Sequence, residues 1–532
     1  MAVLEVDGLT VALPKGADRP FAVEDVTLSV GAGEILCIVG ESGSGKSVTA
    51  FSVMGLADRR ALTPVAGAIR LEGEDLLEVT DARLRKLRGE RMAMIFQEPM
   101  TALNPVLRVG DQIAEMLEIH AEMSATERKQ RVLVSMNDVA LPDPEKMYRS
   151  YPHQLSGGQR QRIMIAMALV LEPQLLIADE PTTALDVTTQ AQILELIKDI
   201  QQRKGMAVMF ITHDFGVVAE IADRVAVMKH GKIVEQGTVA EVLGAPRDPY
   251  TAKLIAAVPS MTPPERQPAQ GNIALETDDL VKTYGTAGLL GTGRVVQAAR
   301  DVDLTVRRGE TLGIVGESGS GKSTVARCVM RLIDPTSGAV LIDGENIASL
   351  SEGQLRPHRK DIQIVFQDPY RSLNPRRTVG QSIVEGPVNF GLSMTEARDR
   401  AADLMRIVGL SAEALDRFPH QFSGGQRQRI CIARALAMEP EILVADEAVS
   451  ALDVSVQAQV LDLLDDVRKR FDLAMLFITH DLRVAAQICD RIMVMNKGEV
   501  VETGPTAAVF ADPQHAYTRA LLAAAPGQKA PA

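Results

Sequence analysis

Two stretches of the sequence, Gly40–Ser47 and Gly316–Ser323, are identical and read GESGSGKS. Glycine reaches backbone conformations closed to other residues. Gly40, Gly43 and Gly45, with Glu41, Ser42 and Ser44 between them, can therefore curl with their N–H groups toward an anion. Lys46 adds a charge suited to the β- and γ-phosphates of ATP, and Ser47 a hydroxyl suited to Mg2+. Gly316, Glu317, Ser318, Gly319, Ser320, Gly321, Lys322 and Ser323 repeat the set. Val48 and Thr324 come next, in helices whose positive dipole ends point at the nucleotide. The apolar runs EILCIV and TLGIV enter the two loops, so the strand–loop–helix context accompanies the pattern.

Another pair of apolar runs ends in Asp179 and Asp446. An aspartate at a buried strand end is costly unless it faces a cation or hydrogen-bond donors. Mg2+ carried by ATP is such a cation. Glu180 and Glu447 follow by one residue, placed to polarise an attacking water as a base or an orienting group.

The elements that position these groups are written twice. IFQEP around Gln97 returns as VFQDP around Gln367, LSGGQRQR from Leu155 as FSGGQRQR from Phe422, and FITHD with His213 as FITHD with His480. The lysines are 276 positions apart and the glutamines 270; the signature serines, the last acidic residues and the histidines are each 267 apart. Conserved order with so little drift points to duplication. The halves are read as 1–260, with a tail at about 245–260, and 273–532, with a tail at about 512–526. Between them residues 261–272, MTPPERQPAQGN, read as a short Pro-rich linker. LLIAD, ILVAD and MAVMFIT read as buried strands, and Thr189–Lys204 and Val456–Arg470 as helices. The alternation predicts an α/β fold with a mainly parallel, helix-covered sheet in each half.

Phosphate loop, glutamine loop, LSGGQ segment, acidic strand end and following histidine together resemble the nucleotide-binding domains of ABC transporters. The resemblance covers nearly the whole chain, twice. It implies two tandem P-loop domains, each with an antiparallel β region and a helical subdomain besides its parallel core. It further implies that the SGGQ segment of one half completes the ATP cradle of the other. One site would then join Lys46, Ser47, Gln97, Asp179, Glu180 and His213 to Ser423, Gly424, Gly425 and Gln426. The second would join Lys322, Ser323, Gln367, Asp446, Glu447 and His480 to Ser156, Gly157, Gly158 and Gln159. Mg2+ is expected at Ser47, Gln97 and Asp179 and at Ser323, Gln367 and Asp446. The catalytic set implied is Glu180, His213 and Gln97 with Glu447, His480 and Gln367. Asp186 and Asp453 match the loop by which the two domains sense each other.

The tails PRDPYTAKLIAAVP from Pro246 and PQHAYTRALLAAAP from Pro513 place Tyr250 and Tyr517 again 267 apart. They resemble the C-terminal extension of ATPases in the oligopeptide/dipeptide/nickel importer family, as do FQEPMTALNP and FQDPYRSLNP. The resemblance implies a peripheral ATPase on the cytoplasmic face of the plasma membrane. Two integral membrane permeases and an extracytoplasmic binding protein would be its partners. Some relatives carry a cysteine-ligated iron–sulfur cluster beyond the tail. No cysteine lies between Tyr250 and the second half, and none follows Tyr517, so no cluster is expected. DEPTTALD in the first half is DEAVSALD in the second, with Ala448 and Val449 for Pro181 and Thr182. Both acidic residues persist, so both sites are expected to be competent. Phe21 is the candidate for stacking on adenine; the same offset leads to Gln297 in the second half, where stacking would be weaker. Dipeptide, longer peptide, glutathione, nickel chelate and oligosaccharide remain open as substrates. A soluble tandem ABC ATPase acting on ribosomes is the rival reading; it would need a long charged helical linker.

Composition agrees with a globular protein. Of 532 residues 46% are hydrophobic and the net charge is −12, a balance against general nucleic-acid binding. No apolar run reaches the roughly 18 residues of a membrane span. The first residues, MAVLEVDGLT, lack a basic region and a long apolar stretch, so no secretory signal is expected. Cys37, Cys328, Cys431 and Cys489 are scattered and read as packed thiols.

Overall fold

The computed structural model describes every residue except 1, 18, 59, 98–101, 184, 286–294, 451 and 526–532. Glu98–Thr101 of the first glutamine loop, Ala184, Ala451 and the last residue of the second tail therefore lie outside the described residues. The chain forms two compact units, one running to Ala256 and the other Ala257–Ala525.

In the first unit the strands are β1 (Ala2–Ala12), β2 (Phe21–Gly31), β3 (Ile35–Val39), β4 (Thr63–Leu71), β5 (Glu74–Asp75), β6 (Met92–Ile95), β7 (Leu175–Asp179), β8 (Ala207–Thr212), β9 (Arg224–Lys229) and β10 (Lys232–Thr238). They form a four-stranded antiparallel sheet, β2-β1-β4-β5, and a six-stranded sheet, β10-β9-β3-β8-β7-β6. In the larger sheet only β10 is antiparallel. Every residue of β3, β7 and β8 is buried, which explains why these strands are uninterrupted apolar runs. The helix Lys46–Met54 contributes Ala50, Val53 and Met54 to one apolar cluster with Leu4, Val6 and Val26 of the antiparallel sheet and Leu36, Ile38 and Ile177 of the parallel one. Each fully buried Val, Leu or Ile among them is worth about 1.5–3 kcal/mol.

The second unit repeats the plan with β11 (Ile273–Tyr284), β12 (Val296–Arg307), β13 (Thr311–Val315), β14 (Ser337–Ile342), β15 (Glu345–Asn346), β16 (Ile362–Val365), β17 (Ile442–Asp446), β18 (Ala474–Thr479), β19 (Arg491–Asn496) and β20 (Glu499–Pro505). The sheet orders are β12-β11-β14-β15 and β16-β17-β18-β13-β19-β20.

Parallel pairing explains how distant motifs meet. Val39 is level with Thr212, and Asp179 with Ile211, so β3, β8 and β7 end together. β6 pairs with β7 and ends beside it. The phosphate loop follows β3, His213 follows β8, Glu180 follows β7 and Gln97 follows β6, all at one carboxyl edge of the sheet.

Each unit also carries a helical layer. Val109–His120, Ala125–Asp138 and Gly157–Leu169 pack together in the first, Val379–Asn389, Met394–Ile407 and Gly424–Leu436 in the second. Ser124 with Glu127, and Ser393 with Glu396, form reciprocal caps at the middle helix. The helix expected from Thr189 begins at Val187 because Asp186 caps it, accepting Thr189 N–H at 2.9 Å. Its counterpart runs Val454–Phe471. All four cysteines are buried. Among the described residues no helix is long and apolar enough to cross a membrane.

The segment read as a linker belongs to the second unit. Arg266 donates to Gln487 O at 2.6 Å, Asp465 Oδ1 at 3.3 Å and Asp490 Oδ1 at 3.4 Å. Gln487 Nε2 in turn donates to Ser260 O at 2.8 Å and Thr262 O at 3.1 Å. Lys198 and Gln201 stand in the first half where the second has Asp465 and Arg468, so this acidic seat is particular to the second.

Candidate functional site

In the first phosphate loop Lys46 is 6% exposed, and its Nζ donates to Gly40 O at 2.6 Å and Glu41 O at 3.0 Å. In the second, Lys322 is 4% exposed and donates to Gly316 O at 2.7 Å and Glu317 O at 2.8 Å. Gly40 has φ 152° and Gly316 φ 148°. A Cβ at Gly40 would lie 2.2 Å from Met228 O, so the loop requires glycine there. The residues fit a phosphate group by an independent mark. Ser44 Oγ and Ser320 Oγ are buried within the two loops without a hydrogen-bond partner, a cost that an anion would relieve.

Ser47 Oγ donates to Asp179 Oδ1 at 3.2 Å, and Ser323 Oγ to Asp446 Oδ1 at 3.2 Å. Burial pushes the Asp179 carboxyl up to about 6, against the hydrogen bond from Ser47. Asp446 is raised for the same reason, helped by Glu447 beside it. Carboxylates destabilised by burial next to a hydroxyl make a donor set of oxygens suited to Mg2+.

Glu180 and Glu447 sit one residue beyond the strand end at φ 48° and 49°. Positive φ in a non-glycine residue costs on the order of 1–3 kcal/mol and clusters at functional sites. The turn brings the Glu180 carboxylate to three donors: Gln97 Nε2 at 2.9 Å, Thr183 Oγ1 at 3.0 Å and His213 Nδ1 at 3.2 Å. In the second half Gln367 Nε2 donates to Glu447 Oε2 at 2.9 Å, and His480 Nδ1 lies 3.4 Å from it. Burial opposes ionisation of Glu180, but the hydrogen bond and charge of His213, with Lys46, hold it at about 2. Glu447 is lowered in the same way by His480. Burial works against charged imidazoles, yet the partner glutamates raise both His213 and His480. Each pair thus sets a carboxylate against an imidazole, the contact favouring the charged form of both, in a place where the carboxylate can orient and polarise a water.

Ser156, Gly157, Gly158 and Gln159 start the helix Gly157–Leu169 on a different element. Ser156 Oγ accepts Gln159 N–H at 3.3 Å, and Gln159 Oε1 accepts Ser156 N–H at 3.0 Å. Ser423 and Gln426 repeat the cap at 3.3 and 3.0 Å around Gly424 and Gly425. The cap consumes a lone pair of each serine and leaves its hydroxyl proton to offer an anion at the helix N-terminus. Asp186 is engaged as a cap.

Sequence reasoning missed three contributions. Thr183 supports Glu180, and Ser450, its counterpart, accepts from Gln367 Nε2 at 3.3 Å; a hydroxyl three residues after each glutamate was the available signal. Tyr250 and Tyr517 of the tails reach the phosphate loops. An aromatic near the second phosphate loop was also missed. Phe21 pairs with Ala12 at the end of the β1–β2 ladder, and at the matching end of β11–β12 Tyr284 pairs with Val296. Tyr284 is 40% exposed, with Lys282 Nζ 5.2 Å from its ring centroid. These ends adjoin the phosphate loops: a Cβ on Gly45 would meet Ala22 O at 2.9 Å, and one on Gly321 would meet Ala298 O at 2.2 Å. Each half therefore carries one aromatic at the end of the ladder that adjoins its phosphate loop, on opposite strands of the pair.

The sequence profile of the ABC transporter family matches residues 23–183 and 299–450. A second profile, the C-terminal region of oligopeptide/dipeptide transporters, matches residues 234–283 and 501–532. A glutathione import ATP-binding protein of Salmonella choleraesuis is 48% identical, covering 98% of this chain and 89% of its own length. A peptidoglycan transport ATP-binding protein of Agrobacterium fabrum is 48% identical, covering 98% and 96%. The dimeric structure of a bacterial ABC transporter cassette aligns with 44% of this chain and 98% of its own, at 29% identity and a TM-score of 0.40.

Proposed function

The chain belongs to the ABC transporter family, and from that premise we propose that it is the ATP-hydrolysing subunit of an importer for peptides or small peptide derivatives. The two tail matches and the import and transport relatives support that substrate class. Two membrane permeases would supply the path, and an extracytoplasmic binding protein would deliver the substrate. The chain would then act as a peripheral subunit on the cytoplasmic face of the membrane. The ribosomal reading lacks support, since the segment between the halves is short and held on the second unit.

Lys46 and Lys322, with the loop amides, would hold the phosphates. Ser47, Asp179 and Gln97, and Ser323, Asp446 and Gln367, would hold Mg2+, which supplies charge neutralisation at the transferred phosphoryl group. Glu180 and Glu447 would orient the attacking water and accept its proton, His213 and His480 fixing them in place. Phe21 and Tyr284 would stack on adenine. The SGGQ helix end of each half would contribute to the ATP site of the other, so ATP binding would draw the halves together and hydrolysis release them. We place the domain boundary between the tail helix Pro249–Ala256 and the Arg266 clamp.

The observation carrying hydrolysis, beyond binding, is the half-buried Glu180–His213 pair repeated at Glu447–His480. Reconstitution with the cognate permeases in vesicles tests the import reading. Peptide-loaded binding protein on the far side should raise ATP turnover several-fold, and Lys46→Ala with Lys322→Ala should abolish it. Turnover indifferent to the loaded binding protein would remove import.

A further inference from the structure

The tail of each half touches the phosphate loop of the same half. Glu235 accepts the N–H groups of Arg247 and Asp248 at 2.8 and 3.1 Å, fixing the start of the helix Pro249–Ala256 on β10. Thr251 and Leu254 bury the helix against its unit. That seating brings the Tyr250 hydroxyl to Glu41. It accepts Glu41 N–H at 3.4 Å and donates to Glu41 Oε2 at 3.1 Å. In the second half Glu502 accepts Gln514 and His515 N–H at 2.7 and 3.0 Å, and the Tyr517 hydroxyl accepts Glu317 N–H at 3.1 Å.

Glu41 N and Gly40 O belong to one peptide group, and Gly40 O is the acceptor of Lys46 Nζ at 2.6 Å. The equivalent peptide in the second half links Tyr517 to Lys322 through Gly316 O at 2.7 Å. A peptide bonded at its N–H becomes a better acceptor at its carbonyl. Each tail tyrosine therefore sets the plane of the peptide on which the phosphate-loop lysine rests.

We propose that Tyr250 and Tyr517 are positioning residues for ATP binding, aligning the Gly40–Glu41 and Gly316–Glu317 peptides so that Lys46 and Lys322 meet the phosphates in place. The tail then has a task in nucleotide binding besides covering its own domain. The inference rests on the reading of the two loops as ATP cradles.

The test uses the full chain with Tyr250→Phe and Tyr517→Phe, singly and together. Affinity for a fluorescent ATP analogue with Mg2+, ATP turnover and thermal melting are measured in parallel. Phenylalanine keeps the packing and loses only the hydroxyl. The double variant should show KM for ATP raised about 3- to 10-fold, the effect of losing the hydrogen bond to the loop amide at each site. Its kcat should stay within about twofold and its melting temperature should not change. Glu41→Ala, which retains the amide, should weaken binding less than Tyr250→Phe. Unchanged KM and affinity in the double variant, or a fall in melting temperature with KM unchanged, overturns the inference while leaving ATP binding intact. A wild-type chain that fails to bind the analogue would overturn the cradle reading along with it.

Discussion

His213 Nδ1 lies 3.2 Å from Glu180 Oε1, and His480 Nδ1 lies 3.4 Å from Glu447 Oε2. Both members of each pair are half-buried, and the contact favours the charged form of each. The imidazole thereby fixes the direction of a carboxylate that sits on a strained turn at φ 48° or 49°.

Replacing the imidazoles should therefore misplace the carboxylates. In His213→Ala with His480→Ala, ATP turnover is expected to fall on the order of 10²-fold, the usual penalty for a displaced catalytic group. Nucleotide affinity should change little, because the phosphate loops are untouched. Turnover assays alongside equilibrium nucleotide titration check this; unaltered turnover would show that the imidazoles merely pack.

Mg2+ dependence should follow Asp179 and Asp446, each 3.2 Å from a loop serine. Asp179→Asn with Asp446→Asn retains shape and removes charge. Hydrolysis is expected to drop on the order of 10²–10³-fold, and chelation of Mg2+ should no longer alter nucleotide affinity. In the wild type chelation alone should stop hydrolysis. Persistent Mg2+-stimulated turnover in the double variant would contradict the assignment.

Arg266 should matter for stability and not for chemistry. It joins Arg468 and Lys469 around Asp465. Burial would raise the Asp465 carboxyl, but these cations bring it from 3.8 to about 2. A carboxyl lowered on folding stabilises the fold at pH above its ordinary value, and that share is lost as acid approaches the folded value. Arg266→Ala should cost about 1–2 kcal/mol at neutral pH, or roughly 2–8 °C in the melting of the second unit. The gap from wild type should narrow as pH falls from about 4 toward 2. Calorimetry across that range decides; a gap that widens in acid would reject the clamp.

The head-to-tail completion proposed for the sites makes a crossed prediction. Ser156→Arg places bulk at the N-cap of the signature helix of the first half, so it should impair the site of Lys322 more than that of Lys46. Ser423→Arg should do the converse. Site-resolved crosslinking of an azido nucleotide reads the two sites separately, and damage confined to the same half would refute the pairing.

Much of this was legible in the sequence because parallel strands buried on both faces leave unbroken apolar runs. LLIAD and ILVAD became β7 and β17 at the expected residues, and the motifs cluster because each follows a strand of one sheet. Reading by constant offset reached its limit where the halves solve one problem differently. Phe21 led to Gln297, whereas the aromatic at the matching ladder end is Tyr284 on the neighbouring strand. The tyrosine latch spans 209 residues in the first half and 200 in the second, with no local periodicity to announce it. Pro and polar composition made 261–272 look like a tether, yet one arginine among them finds an acidic seat that only the fold assembles.

We assign to Glu180 and Glu447 the hydrolysis of ATP held by the two phosphate loops. The most direct test of this assignment is single-turnover hydrolysis of labelled ATP by Glu180→Gln with Glu447→Gln, an exchange that keeps the shape of both side chains. The rate should fall by roughly 10²-fold or more while ATP stays bound. Hydrolysis close to the wild-type rate would contradict the account.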